Sequence, residues 1–165
     1  MHLNKEKYQE AILYLCRKLG GEIRGKKKLA KLLYFADFDF YEKFGQPITG
    51  DVYTAKQMGP FPTALEETTR AMQTNGCLTI ESIEEFGADY APTDIYRCIG
   101  TCPSTSHLSD DEMSMLDRVA KKYGGLNGKQ LEDLSHQEAP YVATEPLKEI
   151  AYELAYYRGT DFADV

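Results

Sequence analysis

The side chains best suited to chemistry in this sequence are its three histidines and four cysteines. Cys98, Cys102 and His107 lie close together along the chain and offer three potential zinc ligands. A structural zinc site needs a fourth ligand, and none stands out nearby. The simpler interpretation is two small apolar residues in a strand, so we expect no metal and no other cofactor.

Enzymatic chemistry finds little support in the other motifs. The sequence lacks the phosphate-loop, dinucleotide-binding, zinc-protease and nucleophile-elbow patterns. His136, flanked by Asp133, Glu138 and Pro140, is the histidine best placed to be held as a general base. A cysteine nucleophile would have to come close to it in the fold. We therefore expect a protein that is not an enzyme, with a Cys/His enzyme as one alternative.

The segment from Ile48 to Pro62 is the strongest candidate for a binding surface. Its glycines and prolines surround a tyrosine, and both residue types specify the path of the backbone. One interpretation is a connection across the core, and the other is part of a partner-binding surface. Together with two residues nearer the C-terminus, this gives six candidate partner-binding residues: Tyr53, Met58, Gly59, Pro60, His136 and Tyr156.

The net charge of -7 conceals an uneven distribution. Residues 17–31 carry a net charge of +6, whereas residues 81–117 contain nine acidic residues and one basic residue, Arg97. An acidic field repels phosphate backbones and attracts basic surfaces. Nucleic acid is therefore an unlikely partner by charge, and a basic protein surface is the favoured one.

Apolar periodicity predicts six helices and one small ribbon. The helices are predicted at residues 8–19, 29–40, 62–74, 109–123, 128–134 and 145–157, and the second of them is the candidate central helix. Pro62 would begin the third helix, and Ser109 with Glu112 would form a capping box at the fourth. Residues 24–28 and 136–140 are read as turns. The ribbon covers residues 78–83 and 90–99, where Pro92 indicates an edge strand or an interrupted one.

The last predicted helix is rich in tyrosine. Its inward face would consist of Leu147, Ile150, Ala151, Leu154 and Tyr157. Three tyrosines on one helix cannot all face inward, so Tyr156 is expected to be more exposed than Leu154. Tyrosine offers a large contact area and a hydroxyl group, which suits it to protein interfaces.

These elements predict a mainly helical α+β fold, a single domain over residues 1–165 that is partly winged-helix-like. The sequence contains no apolar run of membrane-spanning length and no secretory signal at its N-terminus. We therefore expect a cytoplasmic chain with no membrane partner and with all four cysteines as free thiols. Residues 101–107, rich in Ser, Thr and Pro, are expected to form a linker within the domain.

Three motifs together resemble a known family. They are K-x-L-x-K-L-L-Y-F-A-D at residues 27–37, G-x-x-I-T-G-x-x-Y-x-A-x-x-x-G-P at 45–60, and L-S-H-Q-E-A-P-Y at 134–141. In order and spacing they resemble the SocA-like Panacea antitoxin domain, with phage-associated members, over residues 5–157. The sequence departs from that pattern at Tyr141, where a tryptophan often follows the proline, and it contains no tryptophan at all.

The resemblance implies an antitoxin that neutralises a cognate toxin by direct protein contact, and for some members it implies delivery of the toxin to a protease. The leading hypothesis is thus a protein-binding antitoxin whose acidic ribbon meets a basic toxin surface. The alternatives are a proteolysis adaptor and a winged-helix-like DNA-binding regulator. The regulator would use Lys26, Lys27, Lys28 and Lys31 on DNA.

Overall fold

The computed structural model describes residues 2–100, 102 and 107–164, and it is α+β and mainly helical. In chain order the elements are α1 (Lys5–Lys18), β1 (Glu22–Arg24), α2 (Lys26–Phe44), β2 (Tyr53–Lys56), β3 (Gly59–Pro62), α3 (Leu65–Thr74), β4 (Leu78–Ile83), β5 (Thr93–Cys98), α4 (Asp110–Tyr123), α5 (Gly128–His136), α6 (Ala139–Val142) and a C-terminal 3₁₀ helix (Tyr152–Tyr157). No helix in these described ranges is long and apolar enough to cross a membrane.

Helix α2 is the centre of the fold, as its sequence predicts. Every residue from Leu29 to Tyr41 is buried, including both polar and apolar positions. Helices α4 and α5, strand β3 and the 3₁₀ helix all pack against it. A helix buried on all sides must have its polar residues satisfied within the protein, which sets up the contacts described below.

The ribbon is confirmed and is part of a three-stranded antiparallel sheet with the order β1-β5-β4. Strand β1 is not predicted by the sequence pattern, because it has only three residues and lies between the glycines that end α1 and the region read as a turn. It pairs Ile23 with Tyr96, so β5 is the central strand and not an edge strand. The alternative of an interrupted strand is correct, because residues 90–92 are outside the sheet and β5 begins at Thr93. Pro92 precedes the first paired residue and therefore removes no hydrogen bond from the sheet.

The chain order α1, β1, α2, α3, β4, β5 is that of a winged helix, with the β2–β3 hairpin inserted between α2 and α3. The helix ends follow local capping rules. The Asn4 side chain accepts a hydrogen bond from the Lys7 amide, and the predicted capping box between Ser109 and Glu112 is present. Gly45 ends α2 in the left-handed conformation, at a φ of 79°.

Two helix predictions are wrong in a similar way. Pro62 does not begin α3, because it pairs with Tyr53 in the β2–β3 hairpin, and α3 begins at Leu65. Residues 145–151 are not helical, because their backbone groups bind β2 instead. The Leu147 amide donates to the Ala55 carbonyl oxygen at 2.7 Å, and the Ala55 amide donates to Lys148 at 2.9 Å. In both cases pairing along a strand replaces the hydrogen bonds of a helix.

The inward face predicted for the last helix is therefore only partly correct. Ile150 is buried, whereas Leu147, Ala151 and Tyr157 are exposed. The 3₁₀ helix instead buries Tyr152 and Ala155. The region read as the turn 136–140 also contains the start of the short helix α6.

The prediction of four free thiols is wrong for two of them, because Cys77 and Cys102 form a disulfide bond. The sheet brings them together. Leu78 pairs with Cys98, so Cys77, just before β4, lies beside the segment that follows β5 and contains Cys102. Cys16 and Cys98 are free thiols. With Cys102 oxidised, the zinc hypothesis loses one of its three proposed ligands. The linker expected at residues 101–107 lies mostly outside the described residues.

Candidate partner-binding site

The first two sequence motifs meet at Asp37, which is fully buried in α2. Its carboxylate accepts hydrogen bonds from the amides of Ile48 and Thr49, at 2.8 and 2.7 Å, and from the hydroxyl groups of Thr49 and Tyr53, at 2.5 and 2.6 Å. Burial raises the pKa of Asp37 to about 6, against the lowering effect of the Thr49 and Tyr53 hydrogen bonds. This carboxylate fastens the segment before β2 onto the central helix.

Lys31 fastens the next part of the same segment. Its ammonium group, 1% exposed, donates a hydrogen bond to the Pro60 carbonyl oxygen at 3.0 Å. Burial lowers the pKa of Lys31 to about 8. Gly59, at a φ of 105°, leaves room for this side chain: a Cβ there would lie 2.8 Å from both Lys31 Cε and Ser135 Oγ. The glycine of this motif is thus required by packing.

The third motif, residues 134–141, contacts the first motif through Glu138 and the second motif through Tyr141. The Tyr34 hydroxyl donates to Glu138 at 2.8 Å. The His136 ring stacks on Tyr141, with ring centroids 4.6 Å apart, and the Tyr141 hydroxyl donates to the Lys56 carbonyl oxygen at 2.7 Å. Tyr141, where the family pattern often has tryptophan, therefore ties α6 to the β2–β3 hairpin.

The six candidate partner-binding residues do not lie on one surface. Three of them, Tyr53, Gly59 and Pro60, are buried in the contacts just described, so no partner reaches them in this structure. His136 is partly buried, and its Nε2 atom has no hydrogen-bond partner in the described part of the chain. Met58 is 57% exposed at the tip of the β2–β3 hairpin.

Tyr156, the remaining candidate, is 54% exposed and lies against Tyr41 near the end of α2. It is more exposed than Leu154, which is partly buried, as predicted. Of the six residues, Met58, His136 and Tyr156 therefore stay available as partner contacts.

The surface that sequence reasoning missed is a groove of about 560 Å³ beside the third motif, which we call the apolar groove. It lies between the end of α4, α5, α6 and the 3₁₀ helix. Its apolar walls are formed by Phe35, Tyr123, Leu134, Ala139, Val142 and Tyr157. Leu134, Val142 and Tyr157 are exposed, the last two at 68% and 78%. A groove that exposes several apolar side chains is a candidate binding site.

Charged side chains at the floor of the apolar groove are paired with one another. Arg158, with 2% of its side chain exposed, is 2.6 Å from Asp39, 3.2 Å from Glu42 and 3.1 Å from Glu138. Burial works against the charge of Arg158, but these carboxylates raise its pKa above the ordinary value. Arg118 binds the second oxygen of Asp39 at 2.7 Å. The floor is therefore a network of ion pairs, in which Arg158 Nε is close to Glu138 but has no hydrogen-bond partner in the described part of the chain.

Further exposed apolar residues surround Lys56 next to this groove. Met58 lies two residues after Lys56, in the turn of the hairpin. The Leu147 amide donates to the carbonyl oxygen of Ala55, the residue before Lys56. Val142 follows Tyr141, whose hydroxyl donates to the Lys56 carbonyl oxygen. Leu147 is 74% exposed and has a φ of 66°, a left-handed conformation that is unfavourable for a leucine. Strained backbone is often retained at functional positions.

The basic stretch of the sequence does not form an open cationic face. Lys31 is buried, Lys26 pairs with Glu66 at 2.7 Å, and Lys27 pairs with Glu132 at 2.9 Å. Lys28 donates to the Gly124 carbonyl oxygen at 2.6 Å, at the end of α4. All four lysines of the DNA-binding hypothesis thus have intramolecular partners.

The loop between β4 and β5 is acidic and carries two exposed aromatic residues. Phe86 and Tyr90 are 66% and 67% exposed, and Glu84, Glu85 and Asp89 lie beside them in the sequence. Glu85 is paired with Arg24 of β1. Aromatic side chains among carboxylates suit contact with a basic protein surface.

Comparison with known proteins identifies the class of protein to which this fold and these motifs belong. Residues 29–141 match the family model described as antitoxin SocA-like, Panacea domain. Since the match covers more than half of the chain, the chain belongs to this family. The matched range is narrower than the 5–157 expected from the sequence. No curated protein and no solved structure matches the chain significantly.

Proposed function

We propose that this chain is an antitoxin that neutralises a cognate toxin protein by binding it directly, without catalysis. The observation that carries the proposal is the exposed apolar groove beside the third family motif, on a chain of an antitoxin-like family. An exposed groove of apolar and aromatic side chains gains free energy when a protein partner covers it.

The state of the cysteines supports binding over catalysis. Cys77 and Cys102 are joined in a disulfide, and Cys16 is fully buried. Burial raises the pKa of Cys16 to about 12, so its reactive thiolate form is scarce at neutral pH. Cys98 lies on the central strand, with its Sγ atom 3.7 Å from the Gly21 carbonyl oxygen. None of these thiols has the electropositive, accessible setting of a nucleophile.

The DNA-binding alternative loses its main support in the pairing of Lys26, Lys27, Lys28 and Lys31. The wing position of a winged helix corresponds to the acidic loop between β4 and β5, which would face the phosphates. Phosphate neutralisation by basic side chains supplies most of the affinity of such proteins. A protein partner accounts better for this distribution of charge.

Co-expression with each neighbouring open reading frame tests the proposal. We expect one neighbour to arrest growth alone and to be tolerated when this chain is co-expressed, with the amount of toxin unchanged in an immunoblot. A fall in the amount of toxin would instead indicate a proteolysis adaptor. If no neighbour is toxic, or if a toxic one is never rescued, the antitoxin proposal fails.

The acidic loop between β4 and β5 also predicts how salt affects the association rate of this chain with its purified toxin. Association with a basic toxin surface should slow about tenfold or more between 50 and 500 mM NaCl, because salt screens charge attraction between exposed groups. Stopped-flow association rates measure this effect, and a double variant, Glu84→Gln with Asp89→Asn, should weaken it. Rates that do not depend on ionic strength would remove the loop from the interface.

A further inference from the structure

We infer that the apolar groove binds a segment of the partner protein that presents bulky apolar side chains together with a carboxylate. This inference rests on the proposed function, because it states the chemistry of the toxin segment that the antitoxin would hold. The groove has apolar walls, a floor of paired charges and one charged residue, Lys122, without an ion pair in the described part of the chain.

The walls select apolar side chains. Val142 and Tyr157 both line a groove whose volume, about 560 Å³, lies within the range of about 300–1,000 Å³ typical of binding pockets. Tyr157 is 78% exposed, so nearly all of its ring can be covered by a partner. Covering apolar surface contributes roughly 25 cal/mol per Å². A leucine or aromatic side chain is the natural occupant.

The charged residues at the floor of the groove are already paired, so they do not need a charged group from the occupant. Arg158 and Glu138 line the groove, and both are already held in the network with Asp39 and Tyr34. Inserting a charged group there would need desolvation without a free partner, which is unfavourable. An apolar side chain leaves the existing pairs intact.

Lys122, at the rim, selects the charge of the occupant. It is the one charged residue lining the groove that has no ion pair within 4.0 Å in the described part of the chain. Its ammonium group lies 5.4 Å from the centre of the Tyr123 ring, and the nearby carboxylate of Asp164 is bound to Arg118. A carboxylate on the partner would complement this lysine and set the direction of binding.

A second groove runs along α4, and its lining is polar and charged. It is smaller, about 280 Å³, and it is lined by Ser114, Asp117, Arg118, Lys121 and Asp164. Polar and charged walls of this kind favour water over an apolar side chain. The docking inference therefore concerns the apolar groove, and the second groove supplies a control residue.

A phage-displayed library of random 12-residue peptides, selected on the purified full-length chain, tests the inference. We expect enriched peptides to contain two bulky apolar residues and an Asp or Glu. Their affinity, measured by fluorescence anisotropy, should fall about tenfold or more in Tyr157→Ser and in Val142→Ser, as for central contacts of an interface. Lys122→Glu should weaken binding about fivefold, and more at low salt.

Two controls come from residues that do not line the groove. Phe44→Ser removes an exposed aromatic ring from the end of α2, and Lys121→Glu reverses the charge next to Lys122. Both variants should bind the selected peptides as the wild type does. Equal losses in the controls and the groove variants, enrichment of basic peptides, or failure to enrich any peptide would overturn the inference.

The outcome can be separated from that of the proposed function. If the wild type rescues growth and Tyr157→Ser with Val142→Ser rescues it equally well, the antitoxin function stands and the groove inference is wrong. If the peptides bind the groove but no neighbouring gene product is toxic, the docking site is confirmed and the antitoxin function is wrong.

Discussion

Replacement of Asp37 by alanine is expected to lower the free energy of unfolding by about 4 kcal/mol, because four hydrogen-bond donors lose their acceptor inside the core. Ile48, Thr49 and Tyr53 would keep these donors buried, where water cannot replace the carboxylate. Urea denaturation followed by circular dichroism measures the effect.

Asp117→Ala is the matched control, because this aspartate accepts one hydrogen bond from Tyr14 on the surface. It should lower the free energy of unfolding by about 1 kcal/mol or less. Asp37→Asn keeps the size of the side chain and part of its acceptor capacity, so it should lie between the two and remain folded. A loss below 1 kcal/mol in Asp37→Ala would show that Asp37 does not fasten this segment.

The second large effect is a pH dependence that comes from Lys31. Its pKa is about 8 in the folded protein and 10.5 in the unfolded chain, so between these values the unfolded chain binds more protons. The cost of burying the charge is fully present below about pH 8 and is relieved as the pH rises towards 10.5. The wild type should therefore gain about 3 kcal/mol relative to Lys31→Met across this window.

Urea unfolding of both proteins at pH 7.5 and pH 10 measures this difference. Glu132 and Lys27 also act on Lys31, one raising and the other lowering its pKa, and both are unchanged in the variant. Lys18→Met, at an exposed position, serves as the control and should keep the pH dependence of the wild type. If the free energies of unfolding of the wild type and of Lys31→Met change equally with pH, Lys31 does not have a pKa lowered by burial.

The parts of the fold that could be predicted are those with local causes. The apolar residues of α2 recur at helical spacing, and Ser109 with Glu112 caps α4 through groups three residues apart. The two alternating strands of the ribbon are likewise predictable, because they follow one another in the sequence. Each of these signals lies within one stretch of sequence.

The parts that could not be predicted depend on partners far away in the chain. Leu147 and Lys148 look helical by spacing, yet β2 offers hydrogen bonds more than 90 residues earlier. The disulfide depends on the register of β4 with β5, which places Cys77 beside the segment after Cys98.

The candidate site shows the same division. The motif around Gly59 and Pro60 correctly indicated a specified backbone path, but its purpose is packing on Lys31 rather than exposure. Tyr157 would face inward only in a regular α-helix over residues 145–157, and the short 3₁₀ helix at Tyr152–Tyr157 instead leaves it exposed. The apolar groove joins residues from α2, α4, α5, α6 and the 3₁₀ helix, so no single motif could reveal it.

The central claim is that this chain holds its partner without changing it covalently. Isothermal titration calorimetry of the purified toxin found by co-expression, with the intact mass of the toxin measured afterwards, tests this most directly. The account predicts saturation at a fixed whole-number ratio of the two proteins and an unchanged toxin mass. Inactivation of excess toxin by a small fraction of this chain, or a change in toxin mass, would contradict it.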